Sequence, residues 1–216
     1  MTLWYLMRAS GLVTFALLTV TVALGVLGVV GPKGGPSRGP HRGSSRTVTT
    51  VVHRNASLLS VIFLAIHVFT AVSDHYVAIP LPAIVVPGVS DYRAFWMAMG
   101  AVAFDLMAAL IVTSLLRARI GRRAWRGIHW LAYAMWPVAL AHSIGSGTDT
   151  GRPWTTALYV VCGVVVIAAV AIRTSGRRRW VRSAGAGRRP ALAALDAPRL
   201  SVEASAIGPR LSRSPQ

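Results

Sequence analysis

Histidines are the residues of this chain best able to do chemistry, and four of its six stand inside otherwise apolar stretches. His53 and His67 lie fourteen residues apart, and His129 and His142 thirteen apart. A helix rises about 1.5 Å per residue, so each pair spans roughly 20 Å along its own helix, enough to bring one imidazole near each face of an apolar layer about 30 Å thick. Two such helices side by side present two facing pairs of rings, one at each level. A single histidine in an apolar helix has an ordinary role, a hydrogen bond to a neighbouring helix or a place at the interface. Four in two matched pairs point instead to metal ligation.

A small ion needs its ligands within a few Å of one point. Two histidines roughly 20 Å apart on one helix cannot share it, although each cross-helix pair can hold one. A haem asks for less, because the porphyrin supplies four ligands and one imidazole above and one below complete the iron, while the macrocycle fills apolar space between helices. Two imidazoles close both axial positions, which favours electron transfer over oxygen binding at the iron. The expectation is two non-covalent haem b groups, since no Cys-x-x-Cys-His is present for covalent attachment.

The elements that must position these rings follow from composition. Hydrophobic residues make up 54% of the 216, charged residues only 13%, and the mean hydropathy is +0.55, more apolar surface than a soluble domain of this length can bury. The fold expected is an all-α integral membrane bundle with five transmembrane helices, over 3–30, 51–72, 94–116, 125–144 and 154–172. The fourth is the weakest on length. The first is read as a span rather than a signal peptide, because its apolar run is too long and the Gly31-Pro32-Lys33 exit lacks a small-x-small cleavage site.

Basic residues orient the bundle. With the amino terminus outside, Lys33, Arg38, Arg42, Arg46 and Arg54 fall in the first cytoplasmic loop, Arg117, Arg119, Arg122, Arg123 and Arg126 in the second, and ten arginines in a cytoplasmic tail. Only Arg8, Arg93 and Arg152 are then outside, together with Asp74, Asp91 and Asp149. A multi-pass protein of the plasma membrane is expected. The net charge of +17 needs no nucleic acid, because anionic inner-leaflet lipid attracts each basic residue beside a span by about 1 kcal/mol.

A haem domain over 1–173 is expected, containing a flexible cytoplasmic loop over 31–50 that is rich in Gly, Pro, Ser and Arg, and followed by a basic, disordered tail over 174–216. No Gly-rich dinucleotide fingerprint follows a plausible strand, and the tail is too short for a flavin or nicotinamide domain. Cys162 is alone in the fifth span, which excludes a disulfide framework or a dithiol pair.

With the amino terminus outside, the second and fourth spans run the same way, so His53 and His129 share the inner level and His67 and His142 the outer. Helical phase suits one pair better than the other. At 100° per residue, fourteen residues return to within about 40° of the same face, whereas thirteen leave His129 and His142 about 140° apart. Pro137 lies between those two, and a kink or overwound turn there is expected to bring both rings toward the second span.

The stretch His53-Arg54-Asn55 through His67, and Trp125-Arg126-Gly127-Ile128-His129-Trp130-Leu131-Ala132-Tyr133 through His142, resemble the paired-histidine helices of the ferric reductase-like transmembrane domain. That superfamily includes ferric reductases, NADPH oxidases and the haem subunit of the bacterial methionine sulfoxide reductase system. The similarity covers about residues 3–172, and its most specific part is the spacing of fourteen then thirteen with Arg-x-x-His-Trp. The resemblance implies haem pairs of His53 with His129 and of His67 with His142, in the cytochrome b component of an oxidoreductase. Full-length reductases and oxidases of the group carry a cytosolic flavin and nicotinamide module, which this chain lacks. Its donor is therefore expected to be a separate reductase or a membrane quinol, and its acceptor a ferric chelate, oxygen, a quinone or a flavoprotein outside.

Two charges inside spans stand out, each costing about 2.5 to 3.5 kcal/mol to insert. Arg8 either reaches a propionate of the outer haem or snorkels to the interface. Asp105 accepts the free ring N–H of a ligating histidine, pairs with Arg8, or sits buried and protonated against a neighbouring helix. Trp136, between the two levels, either bridges them electronically or packs. His41 is read as a solvated loop residue. His75, beside Asp74, is read as a surface residue or an acceptor contact. The rival reading is a haem-free scaffold or a small transporter with histidines in its path.

Overall fold

Long apolar runs broken by Gly, Pro and Arg leave the chain few options, since a backbone without water must satisfy its own N–H and C=O groups and a helix does so within one segment. The computed structural model describes residues 2–28, 41–74, 77 and 79–195, with side chains to residue 175 and from residue 47 in the second helix. Seven helices are described: α1 (Thr2–Leu27), α2 (His41–Ser73), α3 (Ala94–Leu115), α4 (Arg117–Ile120), α5 (Arg122–His129), α6 (Leu131–Ser146) and α7 (Pro153–Leu195), with a 3-10 turn at Leu81–Ile84 before α3. There is no strand among the described residues. The chain divides into two units, Met1–Thr174 and Ser175–Gln216. In the second, the backbone is helical as far as Leu195.

Four helices are long and apolar enough to cross a membrane: Thr2–Leu27, Thr47–Ser73, Ala94–Leu115 and Pro153–Ser175. Their outward faces are mostly apolar, with Leu58, Phe69, Leu115, Val164 and Ile167 all exposed. A helix hydrophobic all round belongs in lipid rather than water. The chain is a multi-pass helical membrane protein.

The expected fourth span is divided. α5 ends at His129, Trp130 is a turn, and α6 runs 16 residues from Leu131, carrying Pro137 inside it. Bonds from Trp130 N–H to the Gly127 carbonyl at 3.2 Å and from Tyr133 N–H to the Trp130 carbonyl at 3.0 Å are of the tighter i to i+3 kind. Such a turn advances about 120° per residue instead of 100°, so three residues recover about 60° of the phase separating His129 from His142. The distortion expected at Pro137 therefore falls at Trp130. Boundaries differ elsewhere too. Residues 41–50, read as flexible loop, form the first turns of α2, and the tail read as disordered is helical to Leu195. Residues 29–40 and 196–216 lie outside the described residues, as does His75. His41 is the first residue of α2, its side chain likewise outside the description.

α1 is the core helix. Leu18, Val22, Ala23 and Val26 pack with Leu110 of α3, Met135 of α6 and Ala169 of α7, and Trp136 and Tyr133 close the cluster. Six hydroxyls in these helices turn to their own backbone. Ser10, Thr14 and Thr19 in α1, Ser60 and Thr70 in α2 and Thr113 in α3 each donate to the carbonyl four residues earlier. That removes an unpaired donor from an apolar interior.

Candidate functional site

The four histidines come together as two cross-helix pairs. The ring centres of His53 on α2 and His129 at the end of α5 are 6.5 Å apart, with planes at 69°. Those of His67 on α2 and His142 on α6 are 6.4 Å apart, with planes at 77°. With a metal–nitrogen bond of about 2.0 Å and a ring centre about 1.15 Å behind the nitrogen, imidazoles on opposite sides of one metal have centres about 6.3 Å apart, against about 5.1 Å for two ligands of a tetrahedral ion. Both pairs match the opposed arrangement. Among the described residues no group of three or more His, Cys, Asp or Glu converges, so each level offers two protein ligands.

Three of the rings are held in the same way. His53 Nδ1 lies 3.0 Å from the Thr21 carbonyl, His67 Nδ1 2.8 Å from the Met7 carbonyl, and His142 Nδ1 2.8 Å from the Trp96 carbonyl. A carbonyl only accepts, so each Nδ1 carries the proton and each Nε2 keeps a lone pair for a metal. This is the outer-shell support usual for ligating histidines. His142 Nδ1 also has the Ser146 hydroxyl at 3.3 Å. His129 differs: its Nδ1 is buried with no partner, and its ring stacks on Trp125 at 5.0 Å.

Beside the His67–His142 pair is a cavity of about 270 Å³, lined by both rings, Gly11, Gly100, Phe104 and Met107, and also by Arg8 and Asp149. It offers apolar space next to opposed imidazoles, the setting a planar macrocycle needs.

Arg8 pairs with Asp149, in the turn after α6, and its guanidinium lies 4.1 Å from the centre of the Trp4 ring. Asp149 was not singled out in the sequence, because several carboxylates lie in loops on the same side. The structure overturns each expectation for Asp105: it is exposed on α3, three of the ring N–H groups go to backbone carbonyls while His129 Nδ1 has no partner at all, and Arg8 is taken by Asp149. At 100° per residue it sits about 140° around α3 from Gly100, the residue facing His142. Trp136 packs on Phe15, ring centres 5.6 Å apart, and donates to the Thr19 hydroxyl at 2.9 Å. Cys162 is buried in α7 as a free thiol.

Sequence reasoning missed the glycines. A Cβ on Gly100 would stand 2.6 Å from His142 Cε1, one on Gly11 2.9 Å from His67 Cε1, and one on Gly25 3.4 Å from His53 Cε1. The signal was available: Gly11 and Gly25 are fourteen residues apart, as are His53 and His67. Compared with family models, with curated proteins and with solved structures, the chain matches none.

Proposed function

We propose that this chain is a di-haem, b-type electron-transfer protein of the plasma membrane, the cytochrome b component of an oxidoreductase. The observation that carries the reading is the spacing of the two histidine pairs, 6.5 and 6.4 Å between ring centres, which suits opposed axial ligands and not a tetrahedral ion. In this reading α5 and α6 together make a fifth span, the amino terminus is outside and the carboxyl tail cytoplasmic. That orientation rests on the placement of Lys and Arg.

Bound haem would supply one-electron chemistry at each level. The residues of the chain do the rest. His53 and His129 hold the inner group, and His67 and His142 the outer. The Thr21, Met7 and Trp96 carbonyls keep three of the rings in one tautomer. Arg8 has donors to spare beyond its contact with Asp149, and from the cavity it can bind a propionate of the outer group. The cytoplasmic arginines hold anionic lipid. A separate flavin-containing reductase or a quinol gives the electrons. An acceptor outside, whether ferric chelate, oxygen, quinone or flavoprotein, takes them.

Pyridine haemochrome analysis and a reduced-minus-oxidised spectrum of the purified chain test this directly. Two haems per chain with a b-type spectrum are expected. A colourless protein that resists haem reconstitution would replace this reading with a haem-free scaffold or transporter.

A further inference from the structure

The three anchored histidines share one local geometry. The accepting carbonyls belong to Met7, Thr21 and Trp96, and the glycines beneath the rings are Gly11, Gly25 and Gly100, each four residues later. In a helix, the carbonyl of one residue bonds the N–H four positions on, and the side chain of that later residue leans back over the same carbonyl. The carbonyl has a second lone pair, but a Cβ stands in the way of a donor approaching from outside. Glycine opens the approach. Cβ atoms built on Gly11 and Gly100 would lie 2.9 and 2.7 Å from the very Nδ1 atoms that make these bonds.

The fourth histidine tests the rule. On α3, Gly100 faces His142, and no other glycine stands on that helix. α5 lies alongside the far end of α3, since Trp125 Nε1 reaches the Ser114 hydroxyl at 3.4 Å and Trp125 stacks on His129. No glycine there opens a carbonyl to the His129 ring. His129 Nδ1 is left unpartnered.

We propose that Gly11, Gly25 and Gly100 are positioning residues for His67, His53 and His142, and that His129, with no such glycine beneath it, goes without the bond. The two centres are thereby made unequal. This rests on the di-haem reading above. A ring whose Nδ1–H is bonded to a carbonyl is a more basic ligand and favours the oxidised metal, so the doubly anchored His67–His142 centre has the lower potential and the singly anchored His53–His129 centre the higher.

The test uses the full chain in detergent or nanodiscs, with electron paramagnetic resonance of the ferric protein and a redox titration resolving each centre. Gly100→Ala and Gly11→Ala should abolish or displace the His67–His142 signal while sparing the other. Gly25→Ala, with its longer 3.4 Å approach, should shift the His53–His129 signal without abolishing it. Gly163→Ala, where nothing lies within 4 Å of the new methyl, should change neither. Equal effects of Gly100→Ala and Gly163→Ala, or of Gly25→Ala and Gly163→Ala, would overturn the proposal. Where Gly100→Ala or Gly11→Ala does not fold, the comparison of Gly25→Ala with Gly163→Ala decides alone. A wild-type protein with no b-type signals refutes the functional reading; one with two signals and indifferent variants refutes only the role given to the glycines.

Discussion

Trp136 donates its indole N–H to the Thr19 hydroxyl across the α1–α6 interface, 2.9 Å away. The bond lies between the two histidine levels, since Trp136 stands seven residues after His129 and six before His142, and Thr19 lies between Gly11 and Gly25. Thr19 in turn donates to the Phe15 carbonyl at 2.9 Å, so the hydroxyl is used as both donor and acceptor. The cavity beside His67 and His142 reaches Phe15 and Leu18 of the same helix, while Thr19 and Trp136 themselves stand outside its lining.

Trp136→Phe keeps most of the ring's packing and removes the hydrogen bond. A lost neutral bond is worth about 1 kcal/mol, with the Thr19 oxygen left without its donor. The expected outcome is a small drop in the midpoint of thermal unfolding of the solubilised protein, with both haems retained. Loss of either haem would make Trp136 part of the cofactor site rather than of the packing between the sites.

The histidine pairs make a sharper prediction. In the proposed di-haem reading each pair serves its own level, so His67→Ala or His142→Ala should remove one haem of two and leave the His53–His129 centre spectrally intact. His53→Ala or His129→Ala should do the reverse. The measurement is haem content per chain with the resonance signal of the survivor. If each substitution left both haems at full occupancy, the pairing would be wrong. His129 has no backbone anchor, so His129→Ala should disturb the fold less than His53→Ala, which removes the second donor to the Thr21 carbonyl.

The spans were legible where the physics is simple. α1, α3 and the apolar part of α7 follow from runs of about twenty apolar residues. The division at Trp130 was not, because α5 carries Arg122, Arg123 and Arg126 and the break depends on i to i+3 bonds that no apolar pattern signals. The histidine levels were legible from spacing and chain direction. The partner of Arg8 was not, since Asp149 meets it only through the tertiary fold. Asp105 misled because a charge in an apolar run suggests an internal partner, whereas its phase on α3 turns it outward. The glycines were legible only in part. Their spacing is in the sequence, but the meaning of each depends on which carbonyl lies four residues before it and which ring approaches.

Orientation is tested at the carboxyl end. The ten arginines from Arg173 onward call for a cytoplasmic tail, and five spans with the amino terminus outside require it. A reporter fused after Gln216 should be active only if it works in the cytoplasm. Activity of a reporter that needs the exterior would reverse the bundle and exchange the inner and outer labels of the two centres.

The donor gives the last prediction. Nicotinamide cofactors deliver a hydride, which moves two electrons together, while a bis-histidine centre takes one electron and has no open position at which a hydride could arrive. The described helices contain no strand-and-turn platform for a dinucleotide. NADH or NADPH added alone should therefore fail to reduce the purified chain at a useful rate. A flavin-containing reductase, or a quinol where the donor is in the membrane, should restore reduction, because both can release an electron pair in single steps. Anaerobic spectrophotometry, following the reduced b-type band after each addition, distinguishes the cases. Fast reduction by a nicotinamide cofactor, with free flavin and contaminating reductase excluded, would place a hydride-accepting site in this chain and overturn its reading as an electron carrier served by a separate donor.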